Sequence, residues 1–232
     1  MRPHRAYVPA IEDEFWIEGR EARHLVRVLR ARPGDRLTLF DGRGTEARAR
    51  VVAVEGERVR VHVEERRSAR REPPAPVTLY LALLKGEKLF DAVRMGTELG
   101  VSRFVLLETR HAVAKAIRPQ KLERLRRVAI EAAKQSGRTE LPGVEGPLAL
   151  EAVPPVEQGL VADPRAGARV FEVLDPARPV ALAVGPEGGF AEEELRTLVE
   201  RGFTPVTLGP RILRAETAAC ALVALATAAF GQ

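Results

Sequence analysis

The sequence predicts an α/β protein in which a smaller, mostly β domain over residues 1–72 precedes a parallel-sheet domain over residues 73–232. Three observations carry that reading. Beyond residue 76, short apolar runs alternate with amphipathic stretches, the pattern of a parallel sheet covered on both faces by helices. Before residue 66, apolar and polar residues alternate singly, as in half-buried strands. Between the two, Arg66 to Pro76 is charged and proline-containing with no apolar periodicity, and reads as a linker.

In the first domain, a helix over about Glu18 to Leu29 puts Leu25, Val28 and Leu29 on one face and several arginines on another. Strands follow at Leu37 to Phe40, Ala47 to Val54 and Val59 to Val63. Asp41-Gly42-Arg43-Gly44 and Glu55-Gly56-Glu57 supply the turns, so a small barrel with one helix is expected. In the second domain, Val77 to Leu84 is a strongly apolar strand, and Glu87 to Leu99 an amphipathic helix ended by Gly100. Phe104 to Leu107 is the next strand and Lys121 to Gln135 a long basic helix. Then come a strand at Gly159 to Ala162, a short helix at Ala168 to Leu174 and a buried strand at Pro179 to Val184. A helix at Ala191 to Glu200, a strand at Pro205 to Leu208 and a helix at Glu216 to Phe230 complete the order.

Composition narrows the function. The single cysteine, Cys220, excludes a disulfide framework and a Cys-based zinc site. No His, Cys and Asp residues share metal-ligand spacing, so no metal is expected. Met1 to Val8 is polar and basic without an apolar core, and the longest apolar stretch, Ala218 to Phe230, is too short to span a bilayer. A soluble cytoplasmic protein with no membrane partner is the expectation. The net charge is +5, and it is uneven: residues 1–72 hold 17 Arg against 13 acids, while the remainder is nearly balanced. A basic N-terminal third suits nucleic acid, because the guanidinium fork binds phosphate bidentately. A codon bias toward Arg explains the same excess, and composition alone leaves the two open.

Two loops near the C-terminus are the most specific feature. Gly185-Pro186-Glu187-Gly188-Gly189 follows the apolar run Pro179 to Val184, and Leu208-Gly209-Pro210-Arg211-Ile212-Leu213-Arg214 follows Thr204 to Leu208. Each leads into a helical stretch. Glycine turns at the carboxyl ends of neighbouring strands let backbone approach a ligand closely. Each loop alone is also ordinary turn chemistry. Neither has the spacing GxGxxG or GxxxxGK[ST], so the two common phosphate loops are not present in them.

The segments Gly185-Pro186-Glu187-Gly188-Gly189-Phe190 and Leu208-Gly209-Pro210-Arg211-Ile212-Leu213-Arg214-Ala215-Glu216-Thr217-Ala218 closely resemble the bacterial 16S rRNA uridine N3-methyltransferases of the SPOUT superfamily. Thr97-Glu98-Leu99-Gly100-Val101 is similar to a helix-end segment of that family, and Ala133-Lys134-Gln135-Ser136-Gly137-Arg138 to its glutamine-arginine motif. The resemblance covers nearly the whole chain. It departs at His111, where the family more often has a small hydroxyl residue or Cys, and at Ala191, where Ser commonly opens the helix.

The resemblance implies a knotted SPOUT-type parallel-sheet domain with a deep trefoil knot, preceded by a PUA-like β-barrel that binds RNA. It implies S-adenosyl-L-methionine as cofactor, held by Ala162, Gly185, Pro186, Glu187, Gly188, Gly189, Leu208, Gly209, Ile212, Leu213 and Thr217. The activity implied is methylation of uridine N3 in 16S rRNA of the small ribosomal subunit. Arg214 would stabilise the developing uracil anion and Glu216 would act as base; a structural ion pair at the helix start accounts for the same two residues. Arg2, Arg5, Arg23, Arg27, Arg30, Gln135 and Arg138 are the candidate RNA contacts. The last helix is apolar on nearly all faces and must be buried, in its own domain or between subunits. The resemblance favours a homodimer. Two other readings stay open: a related knotted tRNA ribose 2′-O-methyltransferase, and a non-catalytic RNA-binding or ribosome-assembly module.

Overall fold

The computed structural model describes residues 4–68, 71–114 and 116–230. The chain divides into two compact units: Met1–Glu72 with Ala133–Leu141, and Pro73–Ala132 with Pro142–Gln232. The sequence reading has no counterpart for the first unit's second segment, because residues 133–136 are the last turn of the helix Pro119–Ser136, whose pattern shows no break before them.

The first unit contains β1 (His4–Tyr7), β2 (Glu14–Ile17), α1 (Gly19–Arg23), β3 (Arg36–Phe40), β4 (Thr45–Glu55) and β5 (Arg58–Ser68). Helix α1 runs on as a π-helical turn over His24–Val28. The strands pair in the order β1-β3-β4-β5-β2. Among the described residues, β1 and β2 stand at the two ends of this ladder. Alternation in β4 and β5 buries Ala47, Ala49, Val51, Val59 and Val61 against Leu25, Leu37 and Leu39. Strand β5 extends through the start of the expected linker. There Arg67 lies opposite Glu46 and Glu65 opposite Arg48, so cross-strand charge pairs replace apolar alternation as the reason to stay extended.

Glu46 is fully buried in this unit and receives Arg5 and Arg67, with Arg71 Nη1 at 3.3 Å. Burial pushes its carboxyl up, but the hydrogen bonds from Arg5 and Arg67 outweigh that and hold it below the usual range. Nearby, Lys134 pairs with Glu21 at 3.0 Å and Arg138 donates to Glu72 at 2.8 Å. These two ion pairs fix Ala133–Leu141 within the unit.

The second unit contains β6 (Val77–Ala82), α2 (Lys88–Glu98), β7 (Arg103–Glu108), α3 (Pro119–Ser136), β8 (Gly143–Ala149), β9 (Gly159–Ala162), α4 (Val170–Val173), β10 (Val180–Val184), α5 (Glu192–Glu200), β11 (Phe203–Val206) and α6 (Ala215–Ala229). The last turn of α3 falls in the other unit's second segment. The sheet order is β11-β9-β10-β6-β7-β8, and every pair is parallel. Alternate residues feed two cores. Leu79, Leu81, Phe104, Leu106, Leu182 and Val184 pack on one face with Leu89, Val93, Leu222 and Val223 from α2 and α6. Tyr80, Val105, Leu107, Val161 and Ala183 pack on the other with Leu198 and Phe203. Helices on both faces leave the carboxyl edge of the strands as the place for a ligand. The last strand lies two residues earlier than the pattern Pro205 to Leu208 suggests. Phe203, with 2% of its surface exposed, anchors it, and Pro205 is tolerated because β11 is an edge strand.

Candidate cofactor and active site

Strands β9, β10 and β11 are neighbours, so their carboxyl ends, Ala162, Val184 and Val206, fall side by side. The chain leaves each strand in a loop, and the three loops wall a cavity of about 490 Å³. The first loop contributes Ala162 to Arg165, the second Gly185 to Glu192, and the third Leu208, Gly209 and Arg211 to Leu213. His111, from the loop after β7, and Val184, Leu195, Ala215 and Ala218 complete the lining.

The glycine loop is fixed from several sides. Gly185 fits because a Cβ there would stand 3.0 Å from the backbone nitrogen of Phe190, and Gly188 because a Cβ would stand 3.1 Å from Cβ of His111. Gly189 and Gly209 have φ of +70° and +101°, the left-handed region that favours glycine. Lys88 Nζ donates to Glu187 Oε1 at 2.5 Å. That hydrogen bond is the main reason the Glu187 carboxyl lies below the usual range. Helix α5 opens at Ala191 without a side-chain cap. Glu194 compensates from inside the helix: its two oxygens accept from the Ala191 nitrogen at 2.8 Å and the Arg110 nitrogen at 2.6 Å. His111 Nδ1 lies 3.1 Å from the Gly189 carbonyl.

Asp163 stands directly after β9 in the cavity wall. Burial pushes its carboxyl up, but hydrogen bonds from the Arg165 side chain and backbone hold it below the usual range. The wall is therefore chemically divided. Asp163, Glu187 and Glu192 offer carboxylates, while Leu208, Ile212, Leu213 and Phe190 offer apolar surface. Ile212 is 92% exposed, an apolar side chain left uncovered at a cavity mouth.

Of the residues singled out from sequence as cofactor contacts, Ala162, Gly185, Pro186, Glu187, Gly188, Gly189, Leu208, Gly209, Ile212 and Leu213 line this cavity. Thr217 does not; it is exposed one residue into α6 beyond Glu216. Arg214 and Glu216 also stand outside the lining. Among the described residues they do not pair with each other, and Glu216 Oε2 is buried without a hydrogen-bond partner. Sequence reasoning passed over Asp163, Arg165 and Arg211 as site residues. Their position immediately after β9, or inside the Leu208 to Leu213 loop, was the available signal.

In the first unit, Arg23, Arg27, Arg30 and Gln135 are exposed. Arg27 pairs with Glu57, and Arg23 Nε reaches the Gly19 carbonyl at 3.3 Å. Arg5 and Arg138, also expected to contact RNA, have partners within the unit. Arg5 is committed to Glu46 and to the Arg138 carbonyl, and Arg138, 4% exposed, to Glu72. Their guanidinium groups serve the unit's interior. Arg2 lies outside the described residues. Among the described residues, no group of three or more His, Cys, Asp or Glu has the arrangement to hold a metal, and no helix is long and apolar enough to cross a membrane.

Comparison with known proteins shows the family. Residues 71–227 match the family model of an RNA methyltransferase domain, and residues 17–64 that of an RNA methyltransferase PUA domain. A parallel sheet with a cavity at its carboxyl edge, within such a match, defines an RNA methyltransferase. The ribosomal RNA small subunit methyltransferase E of Mycobacterium bovis is 37% identical over 220 residues, covering 88% of this chain and 82% of that protein. The crystal structure of ribosomal RNA small subunit methyltransferase E from Neisseria gonorrhoeae, bound to S-adenosyl methionine, has a TM-score of 0.88 at 30% identity, covering 97% of this chain and 96% of that one. A Legionella pneumophila protein described as a methyltransferase, solved with bound cofactor SAM, has a TM-score of 0.91 at 30% identity, covering 99% and 98%. The chain belongs to the ribosomal RNA small subunit methyltransferase E family.

Proposed function

We propose that this protein transfers a methyl group from S-adenosyl-L-methionine to N3 of a uridine in 16S rRNA of the small ribosomal subunit, in the cytoplasm and as a homodimer. The observation that carries the cofactor assignment is the cavity at the carboxyl ends of β9, β10 and β11. Its volume of about 490 Å³ suits a small-molecule ligand. Its carboxylates suit the positive sulfonium and ammonium groups of the donor, and its apolar loop suits an adenine ring. The residues present therefore fit the cofactor. Ala162, Asp163, Gly185 to Gly189, Leu208, Gly209, Ile212 and Leu213 would hold it. When bound, S-adenosyl-L-methionine supplies a methyl group already activated by its sulfonium.

The chain's own contribution is position and electrostatics. The glycine loop brings backbone close to the ligand, and Lys88 and Glu194 keep that loop in place. We read the sheet as the knotted SPOUT type, in keeping with the loops that resemble that superfamily. Helix α6 supports the dimer. Ala219, Leu222, Val223 and Ala226 are buried in its own unit, while Ala221, Ala224, Leu225 and Ala228 keep exposed surface on the same helix. The exposed arginines Arg23, Arg27 and Arg30 are the candidate phosphate contacts.

The test is incubation with isotopically labelled cofactor and either 30S subunits or free 16S rRNA, followed by mass analysis of the digested nucleosides. Label in N3-methyluridine supports the reading. Label on ribose points to 2′-O-methylation, and no transfer despite cofactor binding points to an assembly module.

A further inference from the structure

Uridine N3 carries a proton at neutral pH, so transfer to it needs an acceptor within reach of the base. We propose that His111 is that acceptor, its Nε2 taking the N3 proton; this rests on the N3-methylation reading above. The ring lines the cavity and packs directly on Gly188 of the glycine loop. Its Nδ1 is 3.1 Å from the Gly189 carbonyl oxygen. A carbonyl only accepts, so Nδ1 must carry the hydrogen, and in the neutral ring Nε2 then presents its lone pair. The loop contact thus selects the tautomer that a general base requires.

The other groups around the ring are already engaged. Its neighbour Arg110 reaches Glu193, and the Arg110 nitrogen donates to Glu194. Glu187 is held by Lys88 and Asp163 by Arg165. Arg165 and Arg211 are the cations of the cavity wall, and cations oppose a second positive charge rather than accept a proton. Glu192 is the remaining acid of the wall, and it is the rival acceptor that the experiment below separates from His111. Within one chain Glu216 stands outside the cavity lining.

The step balances. The N3–H bond breaks and its proton goes to Nε2; the N3 electron pair forms the bond to the methyl carbon. The carbon–sulfur pair leaves with sulfur as a neutral thioether, and the imidazolium later loses its proton to water.

The experiment compares full-length wild type, His111→Asn and Glu192→Gln in single-turnover methylation of 16S rRNA from about pH 5 to 9, a range that contains the span in which an imidazole changes charge. Asn keeps an N–H at the Nδ1 position, and so the tie to Gly189, but has nothing at Nε2. Calorimetry with S-adenosyl-L-methionine is run on each protein. The expected result is a loss of about 100-fold or more in rate for His111→Asn, with cofactor affinity within about twofold of wild type. The wild-type rate should fall on the acid side of the profile, where a protonated ring can no longer accept the N3 proton. The His111→Asn rate should instead climb steadily with pH toward the range where uridine N3 ionises by itself. Undiminished His111→Asn turnover, or a lost pH inflection in Glu192→Gln alone, overturns the assignment. Wild-type product methylated on ribose overturns the N3 reading itself, and this inference with it, and is told apart by the nucleoside formed.

Discussion

At the scale of single residues, buried charge and close-packed glycine do most to set this molecule's behaviour. Glu46 is ionised in a dry site because Arg5, Arg67 and Arg71 surround it. Glu46→Gln should cost about 2–3 kcal/mol in chemical denaturation, less than a wholly buried network because Arg67 and Arg71 are partly solvated. A carboxyl held below its unfolded value stabilises fully above the ordinary carboxylate range, and that stability is lost as pH falls through the lowered value. The wild-type acid limb should therefore be steeper than that of Glu46→Gln; identical limbs in a pH series of melts would refute the role. None of this was legible in sequence, where Glu46 is one acid in an alternating strand and Arg5 and Arg138 are two arginines among many. The glycine loops were legible, because their residue types serve backbone geometry that few other residues satisfy.

At the scale of elements, α6 is where the sequence pattern leaves the burying neighbour open. Its sequence is apolar all round, and periodicity cannot say which face meets which neighbour. The structure divides the helix, with Leu222 fully buried and Leu225 partly exposed. Leu222→Glu should thus unfold the unit, whereas Leu225→Glu should leave a folded monomer with little activity. Sedimentation of Leu225→Glu as an intact, active dimer would remove α6 from the interface. Strands β1, β2 and β8 escaped the sequence reading for local reasons. His4–Tyr7 and Glu14–Ile17 are four residues each, too short for alternation to register, and Gly143–Ala149 contains two glycines and a proline. Helix α5 began where expected although Ala191 lacks a capping hydroxyl, because the reciprocal bond from Glu194 takes up the Ala191 nitrogen.

At the scale of the whole molecule, the two units divide by composition and contact, but not at one point in the chain. Residue 72 ends one stretch, and Ala133–Leu141 returns to the first unit through the Lys134–Glu21 and Arg138–Glu72 pairs. A cut at residue 72 would leave Lys134 and Arg138 without those partners, so RNA grip is better tested in the intact chain. Arg23, Arg27 and Arg30 replaced together by Ala should weaken RNA binding and lower the slope of log affinity against log salt, because phosphate contacts release counterions. An unchanged slope would assign the basic N-terminus to codon usage. The central claim is that the cavity beyond β9, β10 and β11 is the methyl-donor site. Calorimetric titration of S-adenosyl-L-methionine into wild type and Gly185→Ala tests it most directly, since the added methyl would press on the loop's own backbone. The account predicts saturable one-site binding to wild type and at least a roughly tenfold loss in a still-folded Gly185→Ala, about 1.4 kcal/mol. Equal affinity in the two proteins would contradict it.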